Sequence, residues 1–167
     1  MADATRAIHV RPARPDDAPA LTAFLNEIIE IGGTTAHQTP FTPESFVAHY
    51  LAGPGFVSCF VAEDETGAPC AFQALDRWDG IPADWADIGT FSRPGNKVRG
   101  AGTALFEATC DYARSIGLKA LNATIRADNT GGLTYYGKMG FTDYKVDKAV
   151  PLADGRPVDR ISKQYVL

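Results

Sequence analysis

The sequence predicts an α/β fold in which helices pack against a mixed β-sheet. Segments with alternating apolar and polar residues predict strands, and segments with apolar residues every three or four positions predict helices. Their order is β-α-α-β-β-β-α-β-α-β-β, so some neighbouring strands are joined by turns and others by helices. A chain of 167 residues that is 45% hydrophobic and 22% charged can form its own core, and we expect one domain over residues 1–167.

The first three elements are predicted from local start and stop signals. Residues 8–12 alternate as a short strand. Pro15, followed by two aspartates, begins a helix because the positive end of the helix dipole favours acidic side chains, and two glycines end it after residue 31. Thr42 then begins a second short helix, through about residue 51, as an N-cap followed by proline and glutamate.

The remaining elements are six strands and two further helices. The longer helix, over 102–117, is the clearest amphipathic segment of the chain. We predict that its buried face consists of Leu105, Ala108, Tyr112 and Ile116. The second helix spans 129–139, and the strands span 56–63, 69–76, 85–92, 118–126, 143–150 and 158–166.

Composition and charge exclude several classes of protein. The net charge of −4 argues against a dedicated nucleic-acid binder, which is normally basic. Three scattered cysteines form neither a disulfide framework nor a zinc motif, and the three histidines lie in no ligand spacing with them. No apolar run is long enough for a signal peptide or a membrane helix. We therefore expect a cytoplasmic protein without a metal, and without nucleic-acid or membrane partners.

The segment SRPGNKVRGAGTAL, residues 92–105, has the features of a phosphate-binding loop. Gly100 and Gly102 allow close backbone approach and positive φ, and a predicted helix N-terminus follows them. The Walker and dinucleotide-binding patterns do not fit, because neither Lys-Ser/Thr nor a third small residue follows at the required position. A glycine-rich loop without a ligand is the alternative. Full positive charges in this loop come from Arg93, Lys97 and Arg99.

A second segment, RADNTGGLTYYGKMGF at residues 126–141, adds a second motif to the loop at 92–105. Together the two segments resemble the GNAT superfamily of acetyl-CoA-dependent N-acetyltransferases, in particular its phosphinothricin and amino-acid acetyltransferase branch. The family's loop pattern aligns without gaps with Ser92, Pro94, Lys97, Arg99, Gly100 and Gly102. Its later pattern aligns with Asn129, Gly132, Tyr135, Tyr136, Lys138, Gly140 and Phe141. The sequence departs from the family pattern at three positions. Ser92 stands in place of the usual valine, Lys97 in place of glutamine or arginine, and Val98 in place of a small residue.

This resemblance implies a GNAT fold, which is a mixed, mostly antiparallel seven-stranded sheet with helices on both faces. Its central strands, here 85–92 and 118–126, splay apart around acetyl-CoA, which is the acyl donor and needs no metal. The pantetheine arm would pair with the backbone of 90–92, and the pyrophosphate would rest on N–H groups over 98–103. The implied cofactor-binding residues are Thr90, Phe91, Ser92, Lys97, Val98, Arg99, Gly100, Ala101, Gly102, Thr103, Asn129 and Lys138.

The resemblance also implies that the acceptor amine attacks the thioester directly. An alkylamine has a pKa of about 10 and must lose a proton first, and the leaving thiolate benefits from a nearby acid. Tyr136 matches the family's tyrosine acid, with aromatic packing as the alternative, and core packing is favoured for Tyr135. Asp87 aligns with the glutamate proposed as base in the phosphinothricin branch, and its shorter side chain would require a bridging water. A solvent-exposed carboxylate at a strand end is the alternative for Asp87.

The loops expected to bind the acceptor allow two interpretations. Thr35 and His37, between the first two helices, are candidates for lining a pocket, and a solvated loop is the alternative for His37. Arg77 with Trp78 would clamp a substrate carboxylate, which favours an amino-acid-like small amine as acceptor. Four aspartates between residues 76 and 87 would instead suit a polyamine or an aminoglycoside.

Three further expectations come from the family alone. The acceptor is alternatively a protein or peptide amine. A GNAT-like module that binds acyl-CoA without transferring the acyl group, and so acts as a sensor, is a second alternative, although the matched tyrosine and glycine loop favour catalysis. A homodimer is expected by analogy with the family.

Overall fold

The computed structural model describes residues 8–95 and 97–167. It confirms the predicted order of elements, with small shifts at their ends. The strands are β1 (His9–Pro12), β2 (Phe56–Glu63), β3 (Pro69–Asp76), β4 (Trp85–Ser92), β5 (Ala120–Arg126), β6 (Thr142–Pro151) and β7 (Pro157–Val166). The helices are α1 (Ala18–Ile31), α2 (Pro43–Phe46), α3 (Ala101–Ser115) and α4 (Thr130–Met139). A single 3₁₀ turn over Pro15–Asp17 precedes α1, and a wider π-helical turn over Val47–Leu51 continues α2.

The seven strands form one sheet in the order β1-β2-β3-β4-β5-β7-β6. Every neighbouring pair is antiparallel except β4 and β5, which are parallel. That parallel ladder contains three residue pairs and ends where Asp87 faces Asn122. Beyond this point β4 stays paired only with β3, and β5 stays paired only with β7. The predicted α/β GNAT fold with splayed central strands is therefore confirmed.

Helices cover both faces of the sheet, and each face has its own apolar core. On one face α1 and α2 pack on β2 and β3, around Phe46 and Phe72, which are fully buried. On the other face α3 packs mainly on β2 and β3 and α4 packs on β5, and their apolar side chains share a core around Phe106 and Leu121. Side chains alternate along the strands, so neighbouring residues of β4 contribute to opposite faces.

The buried face of α3 differs from the predicted one. Leu105 is fully buried as expected, but Tyr112 and Ile116 are 39% and 42% exposed. A helical stripe that starts at Leu105 can continue along two neighbouring rows of side chains, and local periodicity does not choose between them. The sheet selects the row that brings the Phe106 ring into the core, and the residues buried along α3 are Ala101, Leu105, Phe106, Thr109, Cys110 and Ala113.

An ion cluster connects β1, β2 and the start of the first helix. The Arg11 guanidinium donates two hydrogen bonds of 2.8 Å to the two carboxylate oxygens of Asp17. Its Nε donates a third, of 2.6 Å, to Oε1 of Glu63. These contacts hold the pKa of the Asp17 carboxyl below its usual range, chiefly through the hydrogen bonds from Arg11. Such charge-assisted, bidentate contacts are stronger than neutral hydrogen bonds.

Replacing Arg11 with glutamine is expected to lower the free energy of unfolding by about 2 kcal/mol at pH 7, because Asp17 then keeps a buried charge without its partner. The loss should shrink below pH 4. A carboxyl whose pKa is depressed in the folded state stabilises it above the unfolded pKa, here near 3.8, and that contribution disappears as the carboxyl is protonated. Urea unfolding at pH 7 and pH 3 measures both quantities.

The matched control is Arg114→Gln, since Arg114 makes only an exposed contact of 3.8 Å with Asp111. An exposed pair of this kind contributes at most about 1 kcal/mol. Equal destabilisation of Arg11→Gln at both pH values would contradict the electrostatic explanation.

Candidate active site

A cavity of about 1160 Å³ opens where β4 and β5 separate. Its walls are the loop between α1 and α2, the end of β3, β4 itself, and the loop between β4 and α3. On the opposite side they are β5, the start of α4, and parts of β6 and β7. The cavity thus runs through the gap in the sheet and reaches both faces.

The second half of β4 presents an unpaired backbone edge to this cavity. The N–H of Arg93 donates to the carbonyl of Cys70 on the β3 side, at 2.8 Å. Because hydrogen-bonding direction alternates along an antiparallel ladder, Phe91 also directs its backbone groups toward β3. Thr90 and Ser92 therefore direct theirs away from β3, into the gap. Such an edge can pair with an extended chain that carries amide groups.

The loop between β4 and α3 contributes fewer charges to the cavity than its sequence suggests. Lys97 lines the cavity, but Arg99 is exposed outside its lining. Arg93 is held elsewhere, because its guanidinium donates to Oδ2 of Asp64 at 3.1 Å. Gly100 adopts a φ of +86° at the start of α3, which requires glycine. The N–H of Ala101 donates to the carbonyl of Val98 at 3.2 Å, and Gly102 is the residue of the first turn of α3 that lines the cavity.

Gly102 is required by a side chain of the protein itself. A Cβ atom at this position would lie 2.8 Å from the ring of Tyr135. The Tyr135 hydroxyl also donates to the Gly102 carbonyl at 2.8 Å. The residues on either side of Gly102 do not line the cavity. Ala101 is buried in the core, and Thr103 is exposed at the surface.

The side chain of Asn129 holds two structural elements together. Its Oδ1 accepts the N–H of Gly132 at 2.9 Å and so caps the N-terminus of α4. Its Nδ2 donates to the carbonyl of Thr34 at 3.1 Å, which ties α4 to the loop between α1 and α2. Asn129 is part of the cavity wall, whereas Lys138 is exposed and lies outside the cavity lining.

A hydrogen-bonded network connects the two tyrosines of α4 with β3 and β4. The Tyr136 hydroxyl lies 2.9 Å from Oγ1 of Thr90. Gln73 donates through Nε2 to Thr90 Oγ1 at 2.9 Å and to the Tyr135 hydroxyl at 3.0 Å. Tyr135 is therefore a wall residue of the cavity and not simply a core residue as predicted. Gln73 escaped sequence analysis, although a glutamine inside an otherwise apolar strand is a signal that its amide has partners in the fold.

Burial sets the protonation of both tyrosines. Tyr136 is 6% exposed, and burial raises the pKa of its hydroxyl well above the usual value. Burial also raises the pKa of Tyr135, to about 12. Both hydroxyls are consequently protonated throughout the neutral range and able to donate a proton or a hydrogen bond.

Asp87 lies at the point where the parallel ladder ends, and it is not the solvent-exposed carboxylate of the alternative interpretation. Its Oδ1 accepts a hydrogen bond of 2.6 Å from Nδ2 of Asn122. The Tyr144 hydroxyl donates to Oδ1 of the same asparagine. Burial raises the pKa of Asp87 to about 7, the Asn122 hydrogen bond opposes the shift, and the charge of Asp76 on β3 adds to it. The sequence carried no local signal for Asn122 or Tyr144 as its companions.

The loop between α1 and α2 is held in place over one end of the cavity. Thr35 is buried, and its carbonyl accepts a hydrogen bond of 3.2 Å from Arg126 on β5. The Nε2 atom of His37 lies 2.6 Å from the Tyr50 hydroxyl, and its ring packs edge-on against Phe41. Burial lowers the pKa of His37. Thr35 and His37 both line the cavity, so His37 does not lie in a solvated loop.

Of the predicted Arg77–Trp78 pair, only Trp78 lines the cavity. The Trp78 ring lines the cavity and is 53% exposed. It also packs over Gly80, where a Cβ atom would lie 1.5 Å from the ring. Arg77 is exposed, is not part of the cavity lining, and is held through its backbone by Gly55 at 2.8 Å. Turn geometry after β3 therefore separates two residues that are adjacent in sequence.

The described residues lack both a metal-binding cluster and a helix that could cross a membrane. Residues 8–95 and 97–167 contain no group of three or more His, Cys, Asp or Glu side chains placed to hold a metal ion. Within the same ranges, no helix combines the length and apolar character needed to cross a membrane.

Comparison with known families identifies the chain. The family model of the acetyltransferase (GNAT) domain matches residues 8–142, which is most of the sequence. The chain belongs to the GNAT acetyltransferase family. A curated relative of this GNAT chain is the protein of Bacillus subtilis (strain 168) named "Putative phosphinothricin acetyltransferase YwnH". The two are 26% identical over 152 residues, which cover 90% of this chain and 93% of the relative.

Solved GNAT structures share the fold over nearly the whole chain. A GNAT superfamily phosphinothricin acetyltransferase from Sinorhizobium meliloti, solved in complex with AcCoA, superposes with a TM-score of 0.83 at 20% identity. The match covers 96% of this chain and 88% of that one. A GCN5-related N-acetyltransferase from Kribbella flavida gives 0.83 at 23% identity, over 96% and 98% of the two chains. At these identities the comparison concerns the fold.

The raised pKa of Asp87 predicts a stability that falls as the pH rises from about 4 to about 7. In that window the folded state holds a proton on Asp87 that the unfolded chain, with its usual pKa of 3.8, has already lost. Asp87→Asn removes this dependence, so the melting temperature of the variant relative to that of the wild type should be higher at pH 8 than at pH 5. Differential scanning calorimetry at the two pH values measures the difference.

Asp111→Asn is the matched control, because the Asp111 side chain is 84% exposed. Its melting temperature relative to the wild type should be the same at both pH values. A pH-independent effect of Asp87→Asn would show that Asp87 keeps a normal pKa in the folded protein.

Proposed function

We propose that this protein transfers the acetyl group of acetyl-CoA directly to the primary amine of a small, amino-acid-like molecule, with Asp87 as base and Tyr136 as acid. The observation that carries the proposal is the position of Asp87, a half-buried carboxyl with a pKa near 7 at the point where β4 and β5 separate. The phosphinothricin acetyltransferase names of the relatives support an amino-acid-like acceptor.

The two proton-transfer groups lie on opposite faces of the sheet. Asp87 and Thr90 are three residues apart on β4, so their side chains point to opposite faces. Tyr136 is hydrogen-bonded to Thr90 and therefore lies on the face covered by α3 and α4. The acceptor is then expected to enter on the side of Asp87, and the donor on the side of Tyr136.

Several features of the described chain fit acetyl-CoA, which supplies an activated acyl thioester when bound. The free backbone edge at Thr90 and Ser92 suits the amides of a pantetheine arm. The α3 N-terminus, together with Lys97 and the backbone from Val98 to Thr103, suits a pyrophosphate. Direct contacts of Phe91, Asn129, Arg99 and Lys138 with the donor remain predictions, since the first two are engaged within the fold and the other two lie outside the cavity lining.

Asp87 has the protonation behaviour that a general base needs. A base works best when its pKa lies near the operating pH, because it is then largely ionised and still basic enough to take a proton. With a pKa of about 7, Asp87 meets this condition, whereas an ordinary aspartate near 3.8 is a weak base. The carboxylate accepts the ammonium proton through a bridging water, and the neutral amine can then form its bond to the acyl carbon.

Tyr136 completes the proton balance on the donor side. As the carbon–sulfur bond breaks, the sulfur takes up the electron pair and needs a proton. The buried Tyr136 hydroxyl remains protonated at neutral pH and has Thr90 Oγ1 to hold its orientation. The ammonium loses two protons: the first passes through the bridging water to Asp87 before attack, and the second leaves the nitrogen of the tetrahedral adduct for solvent. The sulfur takes its proton from Tyr136, and Asp87 and Tyr136 then exchange protons with solvent, so that one proton is released overall.

One observation favours a second class of acceptor. Asp76 lines the cavity near Asp87, and burial raises its pKa. Two carboxyls on one wall would also bind a polyamine or an aminoglycoside.

The alternatives of a protein acceptor and of an acyl-CoA sensor remain predictions. The single domain over 1–167, the homodimer and the cytoplasmic location also remain predictions.

Asp87→Asn is expected to lower kcat/KM for the amine by about 100-fold at pH 8, in the usual range for loss of a general base. In the wild type, kcat/KM should rise with pH up to a plateau, with a limb near pH 7 where Asp87 loses its proton. This limb should be absent from the variant. Thiol release from acetyl-CoA, measured from pH 5.5 to 9 over a panel of amines and peptides, tests the prediction.

Asp111→Asn serves again as the control and should retain the wild-type profile. If the limb near pH 7 persists in Asp87→Asn, the base is another group. If no amine or peptide is acetylated although CoA binds, the sensor alternative is favoured.

Tyr136→Phe is expected to reduce kcat by about 100-fold with little change in KM for acetyl-CoA, because a proton donor is lost while the ring and its packing remain. Tyr112→Phe is the matched control, since Tyr112 lies on the exposed side of α3. A fall in kcat of less than about threefold would assign Tyr136 to packing instead.

A further inference from the structure

The cavity is lined by equal numbers of acidic side chains and of lysine and arginine side chains, but not all of them form ion pairs. Four side chains are acidic and four are basic, namely Asp76, Asp87, Asp128, Asp147, Lys97, Lys145, Arg126 and Arg160. Arg126 pairs with Asp128 at 2.7 Å, and Lys145 pairs with Asp147 at 3.3 Å. Lys97 belongs to the loop before α3. Arg160 lies opposite Asp147 in the ladder between β6 and β7, but it forms no ion pair with any described residue, so its guanidinium remains available to a ligand.

Arg160 is placed by strand register on the same sheet face as Asp87. On β7 it lies opposite Arg126 of β5, and Gln164 lies opposite Asn122, the residue that binds Asp87. Positions 160 and 164 differ by an even number of residues, so their side chains point to one face. Arg160 is half-buried and makes no side-chain hydrogen bond or ion pair with any residue in 8–95 or 97–167.

The spacing along the strands leaves room for a small molecule. The rows that contain Asp87 and Arg160 are four residues apart along β5, or about 13 Å at 3.3 Å per residue. The long arginine side chain can shorten this distance considerably. Thr35, anchored to Arg126 at 3.2 Å, closes the same end of the cavity from above. The acceptor side thus has a negative end at Asp87 and a positive end at Arg160.

We propose that Arg160 binds the carboxylate of the acceptor, so that the enzyme selects α-amino acids over amines that lack an acidic group. The inference rests on the proposed function, because it assumes that the acceptor amine lies at Asp87. A guanidinium fits a carboxylate with two parallel hydrogen bonds, which a lysine cannot reproduce. The same positive charge repels the second ammonium group of a polyamine. Arg160 therefore takes the role that sequence analysis assigned to Arg77, which is outside the cavity lining.

The test compares amino acids with their own primary amides, which differ only in the anionic group. Thiol release from acetyl-CoA is measured for the common L-amino acids and the matching amides with the wild type, Arg160→Gln, Arg160→Lys and Arg156→Gln. Arg156 is an exposed arginine in the turn between β6 and β7, so its variant controls for loss of positive charge nearby.

The expected result is a selective effect on binding of the acid. The wild type should prefer the best amino acid over its amide, and Arg160→Gln should raise KM for that acid by roughly 10- to 100-fold, the range for a charge-assisted hydrogen bond. The same variant should change kcat less than about threefold and leave KM for the amide as it was. Arg160→Lys should recover part of the affinity, and Arg156→Gln should behave as the wild type.

Other outcomes overturn the proposal. If the wild type uses acids and amides equally, or if Arg160→Gln weakens both alike, Arg160 is not a carboxylate ligand. If no amine is acetylated, the proposed function fails, and calorimetric binding of the amino acids in the presence of CoA decides about Arg160. Binding that is lost in Arg160→Gln and kept in Arg156→Gln would support the site, and no binding to the wild type would reject it.

Discussion

The early end of the ladder between β4 and β5 is the constraint on which the rest of the site depends. Three residue pairs hold the strands together, and the contact between Asp87 and Asn122 is the last of them. Unpaired backbone groups are costly in an apolar core. Here they face a cavity, where water or an extended ligand can satisfy them. One departure from regular pairing thus creates both a binding edge and an opening through the sheet.

Burial raises the pKa of both groups proposed for proton transfer, with different consequences. For the Tyr136 hydroxyl it keeps the proton in place at every neutral pH. For Asp87 the effect is partly cancelled by the Asn122 hydrogen bond, so the pKa comes to about 7 and not higher. Because Asn122 in turn accepts from Tyr144, the pKa of Asp87 depends on residues of β5 and β6 as well as on Asp76 of β3.

The sequence predicts structure correctly where the controlling signal is local, and less well where a side chain has more than one potential partner. Caps, glycines and periodicity located the strands and helices, and the paired motifs located the gap between β4 and β5. Three features were not predicted: which side of α3 is exposed, the place of Tyr135 in the cavity wall, and the ion pair that holds Arg93 away from the cavity. In each case the side chain had an alternative partner elsewhere in the fold: the Phe106 core, the Gln73 amide and the Asp64 carboxylate.

By itself the sequence determined the order of the elements, the family and the two residues proposed for proton transfer, because these follow from short patterns of neighbouring residues. The tertiary structure alone decided that Asp87 is hydrogen-bonded to Asn122, 35 positions away, and that Arg160, not Arg77, lines the cavity. Such contacts join residues that are distant along the chain. They arise from strand register and sheet order, which no local pattern of residues specifies.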